Sequence, residues 1–252
     1  ATVSVATGAT LTLAGNEAVA SLALAGTLAG SGTLTAATYR LDGGSTMADL
    51  GAGTLASLGN SRLTGRSAAA VVNVEAGTLT LAAADRLSDT AVLTVAAGAT
   101  LTLDGTDTVG RLALAGTLAG SGTLSAASYA LDGGTVNANL GAGTLTSRGS
   151  STLGGSAAAG TLTVETGTLT LAGAERLGAA PAVQVDAGAT LALAGDQVFG
   201  LLSGAGELAL GRFTLATGAG GDSTFAGVFG GSGGLVKQGS ASVFTLTGEG
   251  AV

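Results

Sequence analysis

The residues best suited to chemistry in this chain are acidic residues that stand next to glycines. Asp42-Gly43-Gly44 and Asp132-Gly133-Gly134 recur at the same phase of a long repeat. Carboxylates in tight glycine turns are natural ligands for Ca²⁺, which takes oxygen ligands from flexible loops. However, the Gly-Gly-x-Gly-x-Asp spacing of calcium-binding turns is absent, and one carboxylate per long repeat is too sparse. We therefore interpret both segments as turns, with calcium binding as the alternative and no metal site predicted.

Charged residues beside leucine form a second recurring group. Asp85-Arg86-Leu87 and Glu175-Arg176-Leu177 place opposite charges next to an apolar residue. Because the leucine should be buried, we expect a loop ion pair at the rim of the fold and not a catalytic pair. The other acids near turn glycines form no pair that can be placed across a cleft; they are Glu75, Glu165, Asp104 and Asp186.

Nucleophilic catalysis lacks its usual partners, because the chain contains no histidine and no cysteine. The Gly-x-Ser-x-Gly match at Gly230 to Gly234 is not followed by a predicted helix, so a nucleophile elbow is not indicated. Gly30-Ser31-Gly32 and Gly120-Ser121-Gly122 lack the lysine and helix of a phosphate loop, and we predict turns. We predict no catalytic and no cofactor-binding residue. A polysaccharide-active enzyme is the second alternative function, although the nine basic residues are scattered.

The elements that must position these residues are repeats. The phrase Val5 to Gly15 returns at Val95 to Gly105 and at Val185 to Gly195, which defines long repeats 5–94 and 95–184 and a partial repeat 185–218. Four steps between Thr-Leu pairs make one long repeat, because the pairs begin at Thr10, Thr33, Thr54, Thr78 and then Thr100. Such steps are too short for helical repeats. They predict about eleven to twelve rungs in a single segment spanning residues 1–252.

Each rung contains residues that favour β-strands. Thr10-Leu11-Thr12-Leu13 and its copies alternate polar and apolar side chains with a period of two, which predicts leucine inside and threonine outside. The glycine that follows each phrase should provide the positive-φ turn. One rung cannot bury its leucines alone, so we predict an all-β fold of stacked rungs, a β-solenoid. Where Asn16-Glu17 becomes Thr106-Asp107, the exchange predicts a solvated loop.

Composition supports the same class. The chain is 46% hydrophobic but only 3% aromatic, with 46 glycines, so small aliphatic residues must fill a narrow core. The net charge of −7 offers no basic patch for phosphates, and nucleic acid is an unexpected partner. Ala18 to Tyr39 is long enough to cross a membrane, but glycines and hydroxyl residues interrupt it and its pattern is that of strands. We expect no membrane span in this segment.

The C-terminal part, residues 219–252, has a different pattern. Its Phe-x-Gly-Val, Gly-x-Gly-Gly-Leu-x-Lys-x-Gly and Phe-Thr-Leu-Thr-Gly series, from Phe225 to Gly248, resembles the passenger-associated repeat of bacterial autotransporters. The upstream Gly-Thr-Leu-Thr-Leu rungs are similar to those of autotransporter passengers and large haemagglutinin-like exoproteins. The resemblance implies a right-handed parallel β-helix, displayed extracellularly on a Gram-negative cell surface. We expect the chain to be a segment of a longer protein, whose secretion route the sequence leaves open.

The leading functional prediction is a structural or adhesive segment, either an adhesin or a passenger stalk. Its partners would be a receptor on a host, matrix or neighbouring-cell surface, or other copies through end-to-end assembly. Loops bearing Arg40, Arg62 and Arg66 are the candidate receptor contacts. The first alternative is an ice-binding solenoid, because several Thr-x-Thr pairs would align on one face; they begin at Thr10, Thr33, Thr78, Thr100, Thr144 and Thr168.

Overall fold

A computed structural model describes residues 1–248. The chain divides into two compact units, unit 1 (Ala1–Ala127) and unit 2 (Ser128–Val252, described to residue 248). Among the described residues there are strands and turns but no helix. Every strand pairing recorded within either unit is parallel. The prediction of an all-β solenoid is confirmed.

Unit 1 is built from short strands, the last of which continues across the boundary. They are β1 (Thr2–Val5), β2 (Thr10–Leu13), β3 (Glu17–Ala18), β4 (Ser21–Leu24), β5 (Thr27–Gly30), β6 (Thr33–Thr35), β7 (Thr38–Leu41), β8 (Ser45–Thr46), β9 (Asp49–Leu50), β10 (Thr54–Ser57), β11 (Ser61–Leu63), β12 (Val71–Val74), β13 (Thr78–Leu81), β14 (Val92–Val95), β15 (Thr100–Leu103), β16 (Asp107–Leu114), β17 (Thr117–Gly120) and β18 (Thr123–Asp132).

Unit 2 continues the same style of strand. Its strands are β19 (Thr135–Val136), β20 (Asn139–Leu140), β21 (Thr144–Arg148), β22 (Ser151–Leu153), β23 (Thr161–Val164), β24 (Thr168–Leu171), β25 (Ala182–Val185), β26 (Thr190–Leu193), β27 (Gln197–Phe199), β28 (Leu201–Gly204), β29 (Glu207–Gly211), β30 (Thr214–Thr217), β31 (Ser223–Phe225), β32 (Val228–Gly231), β33 (Gly234–Lys237) and β34 (Phe244–Leu246).

Each unit stacks these strands into three sheets. In unit 1 the first sheet has the order β1-β4-β7-β10-β12-β14-β16, the second β2-β5-β8-β11-β13-β15-β17, and the third β3-β6-β9. In unit 2 the first sheet runs β18-β21-β23-β25-β28-β31-β34, with β20 also pairing β18; the second runs β19-β22-β24-β26-β29-β32, and the third β27-β30-β33. Successive strands of one sheet belong to successive turns of the chain, which is the topology of a β-solenoid.

The number of turns differs from the prediction. The first sheet contributes seven strands to each unit, which gives fourteen turns in residues 1–248 where eleven to twelve were predicted. In unit 1, the paired residues of the first sheet run from Thr2 to Val92 over five turns of unequal length. Together these five turns make up one long repeat. Counting Thr-Leu pairs gave the wrong number of turns because the pairs lie in strands of different sheets. Thr10 lies in the second sheet, Thr33 in the third and Thr54 in the first.

The alternation of leucine and threonine behaves as predicted. In β13 and β15 the leucines are buried, Leu79 pairs with Leu101, and the threonines between them are half-exposed. Columns of stacked leucine therefore form the core of each turn. A stack of parallel strands also satisfies the backbone of each turn through the turns above and below. Right-handed winding stays a prediction, and the usual hand of parallel crossovers favours it.

In the three copies of the opening phrase, the turn glycine lies before the strand and not after it. Gly8, Gly98 and Gly188 occupy the same place in the three copies of the opening phrase and have φ values of 78°, 80° and 81°. In the first copy, Ala9 N donates to Ala6 O at 3.0 Å and closes a four-residue turn around Gly8. This position favours glycine because an L side chain is strained at positive φ. Gly15, Gly105 and Gly195, which follow the opening phrase, do not have positive φ, so the prediction was wrong there. Gly173, which follows Thr168–Leu171, has a φ of 150° and fits it.

The largest core side chains are aromatic, and their polar atoms are satisfied. Tyr39 is buried, and its hydroxyl donates to Leu34 O at 3.0 Å and accepts from Ala36 N at 2.8 Å. Desolvation by burial raises the pKa of the Tyr39 phenol. Tyr129, at the same place in the next repeat, is buried and donates to Ala142 O at 3.2 Å. The tyrosines thus bind the backbone of the loop that they cover.

Candidate functional site

The threonine pairs do not form one face. Those beginning at Thr10, Thr78, Thr100 and Thr168 lie in the second sheets, whereas Thr33 lies in a third sheet and Thr144 in a first sheet. In unit 1, β13 and β15 place Thr-x-Thr pairs in register on two adjacent turns. Arg62 pairs with Thr80 on one side of this ladder, and Ala119 pairs with Thr102 on the other. The predicted alignment of all pairs was therefore wrong.

Asp42 and Asp132 form part of turns with ion pairs. Asp42 lies 2.7 Å from Arg40 Nε, and this hydrogen bond raises the pKa of the arginine. Asp132 lies 3.9 Å from Arg148, whose Nε donates to Glu165 at 2.7 Å. These groups are largely solvent-exposed, so each pair stabilises the fold little.

The turns themselves are held by serine. Gly43 N donates to Ser61 Oγ at 3.2 Å, and Gly133 N donates to Ser151 Oγ at 3.2 Å. The interpretation of both Asp-Gly-Gly segments as turns agrees with this geometry. Within residues 1–248, no group of three or more aspartates or glutamates is arranged to hold a metal ion.

The predicted ion pairs at Asp85-Arg86 and Glu175-Arg176 are not formed. Arg86 Nε donates to Ala84 O at 2.9 Å, and its Nη1 donates to Thr64 O in the preceding turn. Arg176 Nη1 donates to Gly154 O at 3.0 Å. Asp85 and Glu175 are exposed and have φ values of 55° and 52°. The arginines bind carbonyl groups because the bend of these loops points the acidic neighbours to solvent.

Asp107 is a buried carboxylate that the sequence pattern missed. It is 1% exposed, and it accepts hydrogen bonds from Arg86 N at 2.7 Å and Leu87 N at 3.3 Å. Desolvation by burial raises the pKa of Asp107. The prediction of a solvated loop at this position was wrong, because the side chain satisfies the backbone of the loop one turn earlier.

The same place in the next repeat holds Gln197. It is 2% exposed; its Oε1 accepts from Arg176 N at 3.0 Å, and its Nε2 donates to Gly173 O at 2.6 Å. In the first copy the residue is Glu17, which is exposed. The sequence did contain a signal for this contact, because Glu17, Asp107 and Gln197 can all accept a hydrogen bond. An unconstrained loop would not require an acceptor at this place.

The serine-glycine segments are turns, as predicted. Ser232 of the Gly-x-Ser-x-Gly match lies between β32 and β33, and its amide donates to Gly211 O at 2.7 Å. Gly30 ends β5, and Ser31 and Gly32 connect it to β6. A Cβ on Gly32 would lie 2.0 Å from Gly15 O, so the close approach of two turns requires glycine there.

The candidate receptor arginines do not converge. Arg40 lies in the first sheet of unit 1 and Arg62 in the second, where its Nη1 is 3.5 Å from Asp104. The backbone amide of Arg66 donates to Asp49 Oδ1 at 2.7 Å. Asp186 accepts from Gln184 Nε2 at 2.7 Å, and Glu75 lies close enough to raise the pKa of Arg40. Within unit 1, Arg40, Arg62 and Arg66 lie in different sheets or loops and form no common site.

A shallow groove lies on the outer side of the first sheet of unit 2. Its floor is made by residues of three consecutive strands, β23, β25 and β28, and its wall by the segment that enters β31. The cavity volume is about 270 Å³. The polar side chains that line it are Thr161, Thr163, Gln184, Ser203, Asp222, Ser223 and Thr224.

Apolar side chains are exposed on the last described turn. Val228, Val236, Val243 and Leu246 are 40%, 47%, 61% and 45% exposed. They lie in or beside β32, β33 and β34, which are the terminal strands of their sheets in residues 1–248. Part of the C-terminal segment, residues 249–252, lies outside the described residues.

The parallel turns, the leucine columns and the sheet order define both units as β-solenoids. No described helix is long and apolar enough to span a membrane. No protein-family model, no curated protein and no solved structure matches this chain.

Proposed function

We propose that this chain is a structural and adhesive segment of a secreted β-solenoid protein, an adhesin or an autotransporter passenger stalk displayed on a Gram-negative cell surface. The observation that supports this most is the repeated turn, which presents small polar side chains outward and leucine inward in both units. Such a surface offers many similar weak contacts, whose sum can exceed the strength of each. The resemblance of Phe225 to Gly248 to a passenger-associated repeat supports the location.

The proposal assigns no catalytic role to any residue. The recurring carboxylates are used in turns: Asp42 is paired with Arg40, and Asp107 binds backbone amides. Ice binding needs a flat array of aligned threonines, and in unit 1 the paired ladder spans the two turns of β13 and β15. These observations favour adhesion over both alternatives.

Copies of the chain are proposed as partners for one another as well. β32, β33 and β34 are the last strands of their sheets among residues 1–248, and apolar side chains lie in or beside them. Exposed strand edges are templates for pairing with another chain. End-to-end contact of copies would extend the sheets by the same parallel pairing that each unit already uses.

Coated beads test the adhesive function. We expect beads that carry the folded chain to adhere to cultured epithelial cells, to extracellular matrix or to each other, and beads that carry albumin or heat-unfolded chain not to do so. Glycan cleavage and thermal hysteresis should be absent from the same preparation. If folded-chain beads behave like albumin beads on all three surfaces, the adhesive function is wrong.

A further inference from the structure

The groove of unit 2 results from a change in turn length at one place of the repeat. In unit 1, Leu24 pairs with Leu41 on the next turn. At the equivalent place in unit 2, Gly204 pairs with Phe225, which lies further along the chain, and this is the one registered pair between β28 and β31 among the described residues. Asp222 to Thr224, which precede the paired Phe225, form a wall beside the floor.

The chemistry of the groove is that of hydroxyl, amide and carboxylate groups. Thr161, Thr163 and Ser203 line its floor together with the amide of Gln184, and Asp222 adds one carboxylate. Neither lysine nor arginine is among the residues that line it. Groups of this kind donate to and accept from hydroxyl groups, whereas an anionic ligand would meet Asp222 without a compensating cation.

One atom of the wall lacks a hydrogen-bond partner. The Oγ of Ser223 is buried and forms no hydrogen bond within the described residues. Buried polar atoms normally have a partner, because an unsatisfied one has lost its hydration without replacing it. The neighbouring Asp222 is held in place, since its Oδ1 accepts from Val243 N at 2.7 Å. The Ser223 hydroxyl is closed to solvent, so the exposed side chains of Asp222 and Thr224 are the wall groups available to a ligand in the groove.

From these features we infer that the groove binds a neutral glycan. Its volume of about 270 Å³ is just below the usual range of about 300–1,000 Å³ for small-molecule sites, and so suits one sugar ring of a longer chain better than a whole ligand. Because the floor runs across three stacked turns, the rest of the glycan can extend along the sheet. This inference rests on the proposed adhesive function and names the chemical class of its receptor.

Position 163 gives a matched pair of variants. Thr163→Tyr places a ring on the floor of the groove, and Asn73→Tyr places the same ring at the corresponding position of unit 1, where β12 pairs with β14 as β23 pairs with β25. On an array of immobilised neutral oligosaccharides, we expect the wild-type chain and Asn73→Tyr to bind the same glycans. Thr163→Tyr should lose at least about tenfold in affinity.

Thr224→Ala separates binding from folding. Removing an exposed hydroxyl of the wall should leave the melting temperature nearly unchanged, while affinity for the bound glycan falls by about tenfold. A lower melting temperature with unchanged affinity would assign Thr224 a structural role and overturn its place in the site.

Three array results would overturn the inference: no neutral glycan is retained, only anionic glycans are retained, or Thr163→Tyr binds as well as the wild-type chain. If the array is negative while coated beads still adhere to cells, the groove assignment fails and the adhesive function stands. If glycans bind in solution while the beads adhere to nothing, the adhesive function fails and the groove assignment stands.

Discussion

At the scale of single residues, position 107 and its copies show how one place in a repeat can differ in chemistry. Asp107 and Gln197 are both buried and both bind the loop of the preceding turn, whereas Glu17 is exposed. A neutral amide therefore replaces a buried carboxylate without loss of the loop contact. The charge of Asp107 is not required for the fold, and its burial should make stability depend on pH.

The sign of that dependence follows from the raised pKa. A carboxyl group whose pKa is higher in the folded state favours folding when it is protonated. Its contribution is fully present below the ordinary aspartate pKa of about 3.9. It is lost as pH rises through the raised pKa of Asp107. Asp107→Gln copies the arrangement of Gln197 and removes this titration.

We therefore expect the free energy of unfolding of Asp107→Gln, relative to the wild-type chain, to increase between pH 4 and pH 7. Urea unfolding followed by circular dichroism measures it. Glu17→Gln is the control, because that side chain is exposed and its exchange should change little at any pH. A difference for Asp107→Gln that stays constant across this range would contradict the raised pKa.

At the scale of elements, the close approach of consecutive turns depends on particular glycines. A Cβ at Gly32 would lie 2.0 Å from Gly15 O, whereas a Cβ at Gly15 would meet no heavy atom within 4 Å. Neither glycine has positive φ, so the two positions differ in space and not in backbone strain. We expect Gly32→Ala to destabilise unit 1 by about 1–3 kcal/mol through overpacking.

Gly15→Ala is the matched control and should be close to neutral. Chemical unfolding of both variants makes the comparison. Equal stability of Gly32→Ala and Gly15→Ala would mean that the turns can separate at no cost, and that the tight stacking of β5 and β6 on the preceding turn does not contribute to the fold.

The class of element was predictable from the sequence, but the number of turns was not. Alternating Thr78-Leu79-Thr80-Leu81 requires a strand with one buried face, because leucine and threonine point to opposite sides. A turn also contains strands without this signature, such as β4 and β12, and these were not counted. Local alternation identifies a strand, whereas its sheet depends on the lengths of the loops between strands.

The candidate site was less predictable than the fold. The groove depends on a turn that is longer than its counterpart, and the sequence shows this only as a departure from the repeat after Val198. Asp107 looked like a loop residue because its partners are the backbone amides of Arg86 and Leu87, one turn earlier, which have no sequence signature. A side-chain pattern in the sequence cannot predict a contact between a side chain and the backbone of a neighbouring turn.

At the scale of the whole molecule, stability should be distributed over the turns. Each turn contacts the turns before and after it, so stability approximates a sum of neighbouring terms. Leu101 is fully buried and pairs with Leu79 and Leu118 on adjacent turns. Leu246 lies on a terminal strand and is 45% exposed.

Leu101→Asp should therefore cost several kcal/mol, because it places an unpaired charge in a leucine column. Leu246→Asp should cost much less, since water still reaches that position. Thermal unfolding followed by circular dichroism compares the two variants. Equal losses of melting temperature would argue for one cooperative core and against local coupling between neighbouring turns.

The unequal turns of the repeat have a consequence for how such a gene can change its length. In unit 1 the registered partners of the first sheet are unevenly spaced along the chain, at Thr2, Ser21, Thr38, Thr54, Val71 and Val92. Duplicating or losing one turn would set loops of unequal length beside each other, whereas a change by one whole long repeat restores every neighbour. Leu22 to Leu34 and Leu112 to Leu124 are identical, so recombination between the gene segments that encode them would make such a change. The protein can thus become longer or shorter by five turns at a time while every turn keeps neighbours of the usual loop length.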